Sequence, residues 1–198
     1  LSLVFLGLTG VLLIKDLDQP KRFIYVLLRP HWTSWLVKGG YTITAFGGLV
    51  TLWGGLKYFE LSGLADLLIW PILMLSVLLA VYTAFLFGQA KGRDFWQSPL
   101  LSLHMLLHSV VGGAAALLLI STFWSDLLPL ISALKIILFW SLVIQLLSFA
   151  TEFLSSHPTE DARKAAHKIT HGTFRVTFWW GVVFCGNVIP LLFLIGSS

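Results

Sequence analysis

His104 and His108 are four residues apart, a spacing that puts both imidazoles on one face of a helix, one turn from each other. At about 1.5 Å of rise per residue they stand about 6 and 12 Å along an apolar segment that begins near Leu100. Imidazole exchanges protons near neutral pH. Two roles are open to the pair: contact with a ligand, or hydrogen bonds between helices. Ser141, Gln145, Ser148 and Glu152 are spaced four, three and four and form one stripe along another segment. The stripe reads either as a proton route ending at Glu152 or as a packed polar seam. Tyr82 lies about two turns from the end of a third apolar segment. On its own such a tyrosine is more often the mark of an interfacial belt.

Ionisable groups inside apolar segments are costly and point to function. A phenol, imidazoles and a carboxylate beside an apolar interior suit a quinone, whose ring oxygens need hydrogen bonds, whose chemistry needs protons and whose tail needs an apolar slot. Haem is disfavoured: His104 and His108 project from one face and cannot be opposite axial ligands, so a pairing such as His104 with His171 would be required. No metal site is expected. Cys185 is the sole cysteine, which excludes a disulfide framework or a multi-cysteine metal centre in this chain.

The elements that must carry these residues are membrane helices. The chain has 198 residues, 57% hydrophobic and 11% charged, well below the roughly 25% charged content of soluble domains. Spanning takes about 20 predominantly apolar residues. Five complete spans are expected, at residues 36–56, 67–88, 100–123, 127–150 and 176–195, with a partial one at 1–14. The fold class is all-α: a polytopic transmembrane bundle of about six helices in a single membrane domain over 1–198. Pro71, Pro129 and Pro190 read as helix terminators, and Gly47-Gly48 and Gly112-Gly113 as small-residue packing patches. Lys135 is expected to snorkel toward headgroups.

Alternation across the bilayer puts residues 15–35, 89–99 and 151–175 on one face, so that Tyr82, His104 and Glu152 approach the same side. Of the 13 Lys and Arg, only Lys57 and Lys135 fall on the other side. The positive-inside rule makes the long-loop face cytoplasmic. The basic residues cluster in connecting segments, which argues against a nucleic-acid partner. Residues 14–40 form the densest polar block; Asp18, Lys21, Arg22 and Arg29 beside the apolar run 23–28 read as a docking loop for a protein partner or as a basic helix on the membrane surface.

Three stretches carry a family resemblance. Asp16-Leu17-Asp18-Gln19-Pro20-Lys21-Arg22-Phe23 is similar to DLGRPxRF, Val81-Tyr82-Thr83-Ala84-Phe85-Leu86 to YTGxLL, and Phe95-Trp96-Gln97-Ser98-Pro99-Leu100-Leu101 to FWNSPLLP. In this order they resemble the polysulfide reductase membrane subunit (NrfD-like) family. The resemblance implies a subunit with no haem or iron-sulfur cluster of its own. It would exchange electrons between menaquinone or ubiquinone and an iron-sulfur subunit, alongside a catalytic subunit, in a bacterial or archaeal plasma membrane. By motif, the quinone-contacting tyrosine is Tyr82. The resemblance also implies a partner face on the periplasmic side, against the charge count. Family members have eight or more spanning helices, so the chain is expected to be truncated at one or both ends.

The expectation is therefore a quinone-binding membrane subunit of a respiratory oxidoreductase that is not catalytic alone. Tyr82, His104 and His108 would hold the quinone, Glu152 and Gln145 would move protons, and no residue would be catalytic in its own right. The rival readings are a proton- or ion-translocating module and a passive membrane anchor.

Overall fold

In the long segments apolar residues run round every side, as expected of helices that face lipid on one side and protein on the other. Lipid offers no partner to a free backbone group, so such segments must be helical. The computed structural model describes residues 2–15, 28–89, 96, 98, 100–154 and 159–196, and it is all-α among them. Four helices there are long and apolar enough to cross a membrane: Ser62–Gly88, Leu101–Ser121, Asp126–Phe153 and Thr177–Gly196. The chain is an integral membrane protein, divided into two compact units, Leu1–Gln89 and Ala90–Ser198.

The first unit contains α1 (Ser2–Lys15), α2 (Trp35–Tyr58), α3 (Ser62–Leu67) and α4 (Ile69–Gly88). At 24 residues α2 has the length of a span. Its glycines, threonines and Lys38 dilute its hydropathy, and it falls outside the four apolar spans. The hydroxyls of Thr42, Thr44 and Thr51 donate to carbonyls four residues back, at 2.8, 2.9 and 2.7 Å, so none is left bare in an apolar setting. Pro71 falls in the first turn of α4, where its missing N–H is not needed.

The second unit contains α5 (Leu101–Ser121), a 3-10 turn (Ser125–Leu130), α6 (Ile131–Leu154), α7 (Glu160–Thr170), a π-helical stretch (Thr177–Val188) and α8 (Ile189–Gly196). Its apolar core is Ala114 on α5 with Leu134, Leu138 and Leu142 on α6, flanked by Val111, Leu117, Leu118, Leu191 and Leu194.

Three sequence expectations need correction. Residues 151–175 are not simply a loop, because α6 runs on to Leu154 and α7 follows. The small-residue reading fits Gly47, where a Cβ would come within 2.9 Å of Leu6 on α1, but at Gly48, Gly112 and Gly113 nothing among the described residues approaches within 4 Å. Pro190 does not end a helix. It lies inside the continuous span Thr177–Gly196, two residues past the switch from π to α geometry, where the changed hydrogen-bond register absorbs the missing donor.

Candidate functional site

Burial sorts the two histidines of α5. His104 is 9% exposed, whereas His108 is exposed one turn on, with ring centroids 6.4 Å apart. His104 Nε2 lies 3.2 Å from Glu152 Oε2 near the end of α6, and both side chains are 11% exposed. With its proton on Nε2 the imidazole donates to the carboxylate. Phe149, one turn before Glu152, stacks on His104 at 5.3 Å and 20°, and Phe178 of the π-helical stretch meets Phe149 edge-on at 6.2 Å. The ring is thereby fixed on one side by aromatic packing and at one nitrogen by a carboxylate. His104 Nδ1 is buried with no hydrogen-bond partner among the described residues. Such a buried polar atom calls for an explanation, and a ligand is one.

The stripe of α6 faces inward as its spacing predicts: Ser141, Gln145 and Ser148 are buried. Ser148 Oγ lies 3.0 Å from the carbonyls of both Ile144 and Gln145, so its hydroxyl is spent on its own helix. That favours a packed seam at Ser148. Gln145 Oε1, buried and without a partner among the described residues, keeps a free acceptor. Asn187, 1% exposed, escaped the sequence reading; its Nδ2 donates to Val182 O at 2.7 Å while its Oδ1 has no partner among the described residues. The five-residue spacing of that bond is the register of a π-helix, which a search for α-periodicity does not test.

Tyr82 belongs to the first unit. It is buried on α4 against α2, where its ring lies over Gly39. Around it, Trp35 stacks on Phe85 at 4.5 Å and 16°, and Lys38 Nζ sits 4.3 Å above the Trp35 ring. Gln89 joins the two helices: Trp35 N–H donates to its Oε1 at 3.1 Å, and its Nε2 donates to Thr33 O at 3.2 Å. None of these supports is visible in the sequence, since each depends on which helix packs beside α4. Of the expected docking residues, Arg29 is exposed; Asp18, Lys21 and Arg22 lie outside the described residues.

Among the described residues, no group of three or more His, Cys, Asp or Glu could hold a metal ion. The chemistry available in the second unit is proton exchange: an imidazole with one nitrogen tied to a carboxylate and the other open. The family description polysulphide reductase, NrfD, matches residues 1–196. The chain belongs to the NrfD family. Members are membrane subunits of polysulphide- and quinone-linked oxidoreductases, working with other subunits. No curated protein and no solved structure matches the chain. Of the NrfD-like stretches, Val81 to Leu86 lies within α4. In the third, Ser98 accepts from Leu100 N–H at 3.3 Å through its hydroxyl and from Leu101 N–H at 3.1 Å through its carbonyl, helping to start α5, the helix of His104.

Proposed function

We propose that this NrfD-family subunit binds a quinone, menaquinone or ubiquinone, and that His104 and Glu152 carry the protons of its oxidation or reduction. The observation that carries the reading is the His104–Glu152 pair, with Nε2 held at 3.2 Å by the carboxylate and a buried Nδ1 left open. A hydroxyl or carbonyl oxygen of a bound head group complements an open imidazole nitrogen. A quinone supplies the electron and proton exchange when bound. His104 takes a proton at Nδ1 while its Nε2 proton moves toward Glu152 Oε2, or the reverse, and the Phe149 stack keeps the ring in the orientation both steps need. His108, exposed one turn away, is a second contact for the head group, and Gln145 extends the proton route through its open Oε1. Tyr82 is assigned to quinone contact on its motif, independently of the histidine pair.

Electrons pass to or from an iron-sulfur subunit that works with a catalytic subunit, and Asp18, Lys21, Arg22 and Arg29 contribute to docking it. The complex resides in a bacterial or archaeal plasma membrane. Titrating the purified complex with a quinone analogue tests the reading: His104→Ala should weaken binding by about tenfold or more, the scale of one charge-assisted hydrogen bond, with assembly intact. Unchanged affinity removes His104 from the site. Proton movement in the absence of quinone would instead favour a translocating module.

A further inference from the structure

We propose that α7 and the segment leading from it into the span at Thr177 form a binding surface for the headgroups of anionic phospholipids, independent of any quinone site. α7 has 11 residues and is strongly amphipathic. Ala162, Ala165, Ala166 and Ile169 lie on one face at three- and four-residue steps; Ala162 and Ala166 are buried in the second unit and the other two half-buried. The opposite face presents Arg163, Lys164, His167 and Lys168, all exposed, round an open hollow of about 380 Å³. Arg175 follows, also exposed, two residues before the π-helical stretch. Four Lys and Arg within a short reach of a span is the density at which juxtamembrane segments recognise anionic lipid.

The depth of the surface is fixed by an aromatic clamp. Trp179 Nε1 donates to Thr170 O at 3.0 Å, satisfying a carbonyl at the C-terminal end of α7. The chain closes this end tightly: Gly172 N–H and His171 N–H both donate to His167 O at 2.9 Å, and a Cβ on Gly172 would lie 2.8 Å from Lys168 Cα. Phe174, Trp179 and Trp180 are 58, 51 and 62% exposed, as aromatic residues are at the boundary between hydrocarbon and headgroups. A tryptophan at that boundary, bonded to the last turn of α7, holds Lys168 and Arg175 near the phosphate layer. A surface for an acidic protein would have no need of that depth.

The local charges fit a phosphate as guest. Lys168 and Arg175 make no ion pair among the described residues. Arg163 meets Glu160 at 2.9 Å and Lys164 meets Asp161 at 3.6 Å, but both are exposed pairs within one helix, easily exchanged for a phosphodiester.

Native mass spectrometry of the purified complex, equilibrated with equal amounts of phosphatidylglycerol and phosphatidylcholine, tests the proposal. The wild type should retain phosphatidylglycerol in about 25-fold preference, given roughly fivefold per basic residue near an anionic headgroup and two of the four basic residues offset by the two carboxylates. The variant Arg163→Gln/Lys164→Gln/Lys168→Gln/Arg175→Gln should fall to parity, and Glu160→Gln/Asp161→Gln, which removes the competing carboxylates, should raise the preference. Parity in the wild type, or a preference unchanged in both variants, overturns the proposal. Displacement of the lipid by inorganic phosphate at equal concentration would assign a free-anion site instead. A preference present in the isolated chain and absent from the complex would assign the surface to a protein partner.

Discussion

The ring of Tyr82 on α4 lies directly over the bare α-carbon of Gly39 on α2. A Cβ at position 39 would come within 2.5 Å of Tyr82 Cδ2 and closer still to Cε2. Gly39 is thus glycine for close approach of a neighbouring ring, not for its own backbone, which lies in regular helix. Gly39→Ala should push the ring aside or part the two helices, costing about 1–3 kcal/mol as overpacking does. Melting of the detergent-solubilised complex measures that cost. With Tyr82 contacting the quinone, as its motif assigns, quinone-coupled turnover should fall with it, and Tyr82→Phe should lower turnover without the loss of stability. Normal turnover in both variants would remove Tyr82 from the quinone site.

His104 and Glu152 should behave as one unit. In a double-mutant cycle of His104→Gln and Glu152→Gln, each single change should lower quinone-coupled turnover strongly, and the double variant should be little worse than either. The coupling should lie on the order of 1–3 kcal/mol, as for residues in direct contact in one network. Additive losses would mean that the 3.2 Å contact is not used in the reaction.

Much of this was legible in residue spacing, and the remainder depended on which faces pack together. The four-residue step from His104 to His108 and the Ser141–Glu152 stripe located the polar positions, because a charge or amide in an apolar segment stands out by cost alone. Which histidine is buried could not be read. α5 is apolar nearly all round, so no periodicity tells its protein face from its lipid face. α7 was in principle readable: Thr159, whose hydroxyl accepts from Ala162 N–H at 3.2 Å, precedes acidic residues and a three-four pattern of alanines. Its small apolar side chains and high charge made it read as loop. Gly39 and Gln89 carry no local signal, since their roles exist only through contacts between α2 and α4.

Gln89 offers a test of how firmly those two helices are joined. Its amide accepts from Trp35 N–H, one of the unpaired donors at the start of α2, and donates to Thr33 O. Gln89→Leu removes both bonds and should destabilise the complex by about 1–2 kcal/mol. Gln89→Glu keeps the acceptor, now as a charge at a helix N-terminus, and should recover part of that loss. Equal melting temperatures for Glu and Leu would mean that the bond to Trp35 N–H contributes nothing.

Asn187 sets stability against a polar group held for another purpose. Its side-chain amide donates to Val182 O at 2.7 Å, but π geometry already directs a backbone N–H at the carbonyl five residues back, so this bond is a second one to the same oxygen. Its Oδ1 meanwhile sits in a residue 1% exposed with no partner among the described residues, a burial that costs about 1–3 kcal/mol. Asn187→Leu, whose side chain has the same four heavy atoms in the same branching but no polar group, exchanges a redundant bond for relief of an open acceptor. Its melting temperature in detergent should therefore equal or exceed that of the wild type. A clear loss of stability would show that Oδ1 is satisfied in the assembled protein, by water or by a neighbouring subunit, and that Asn187 belongs to a larger polar network.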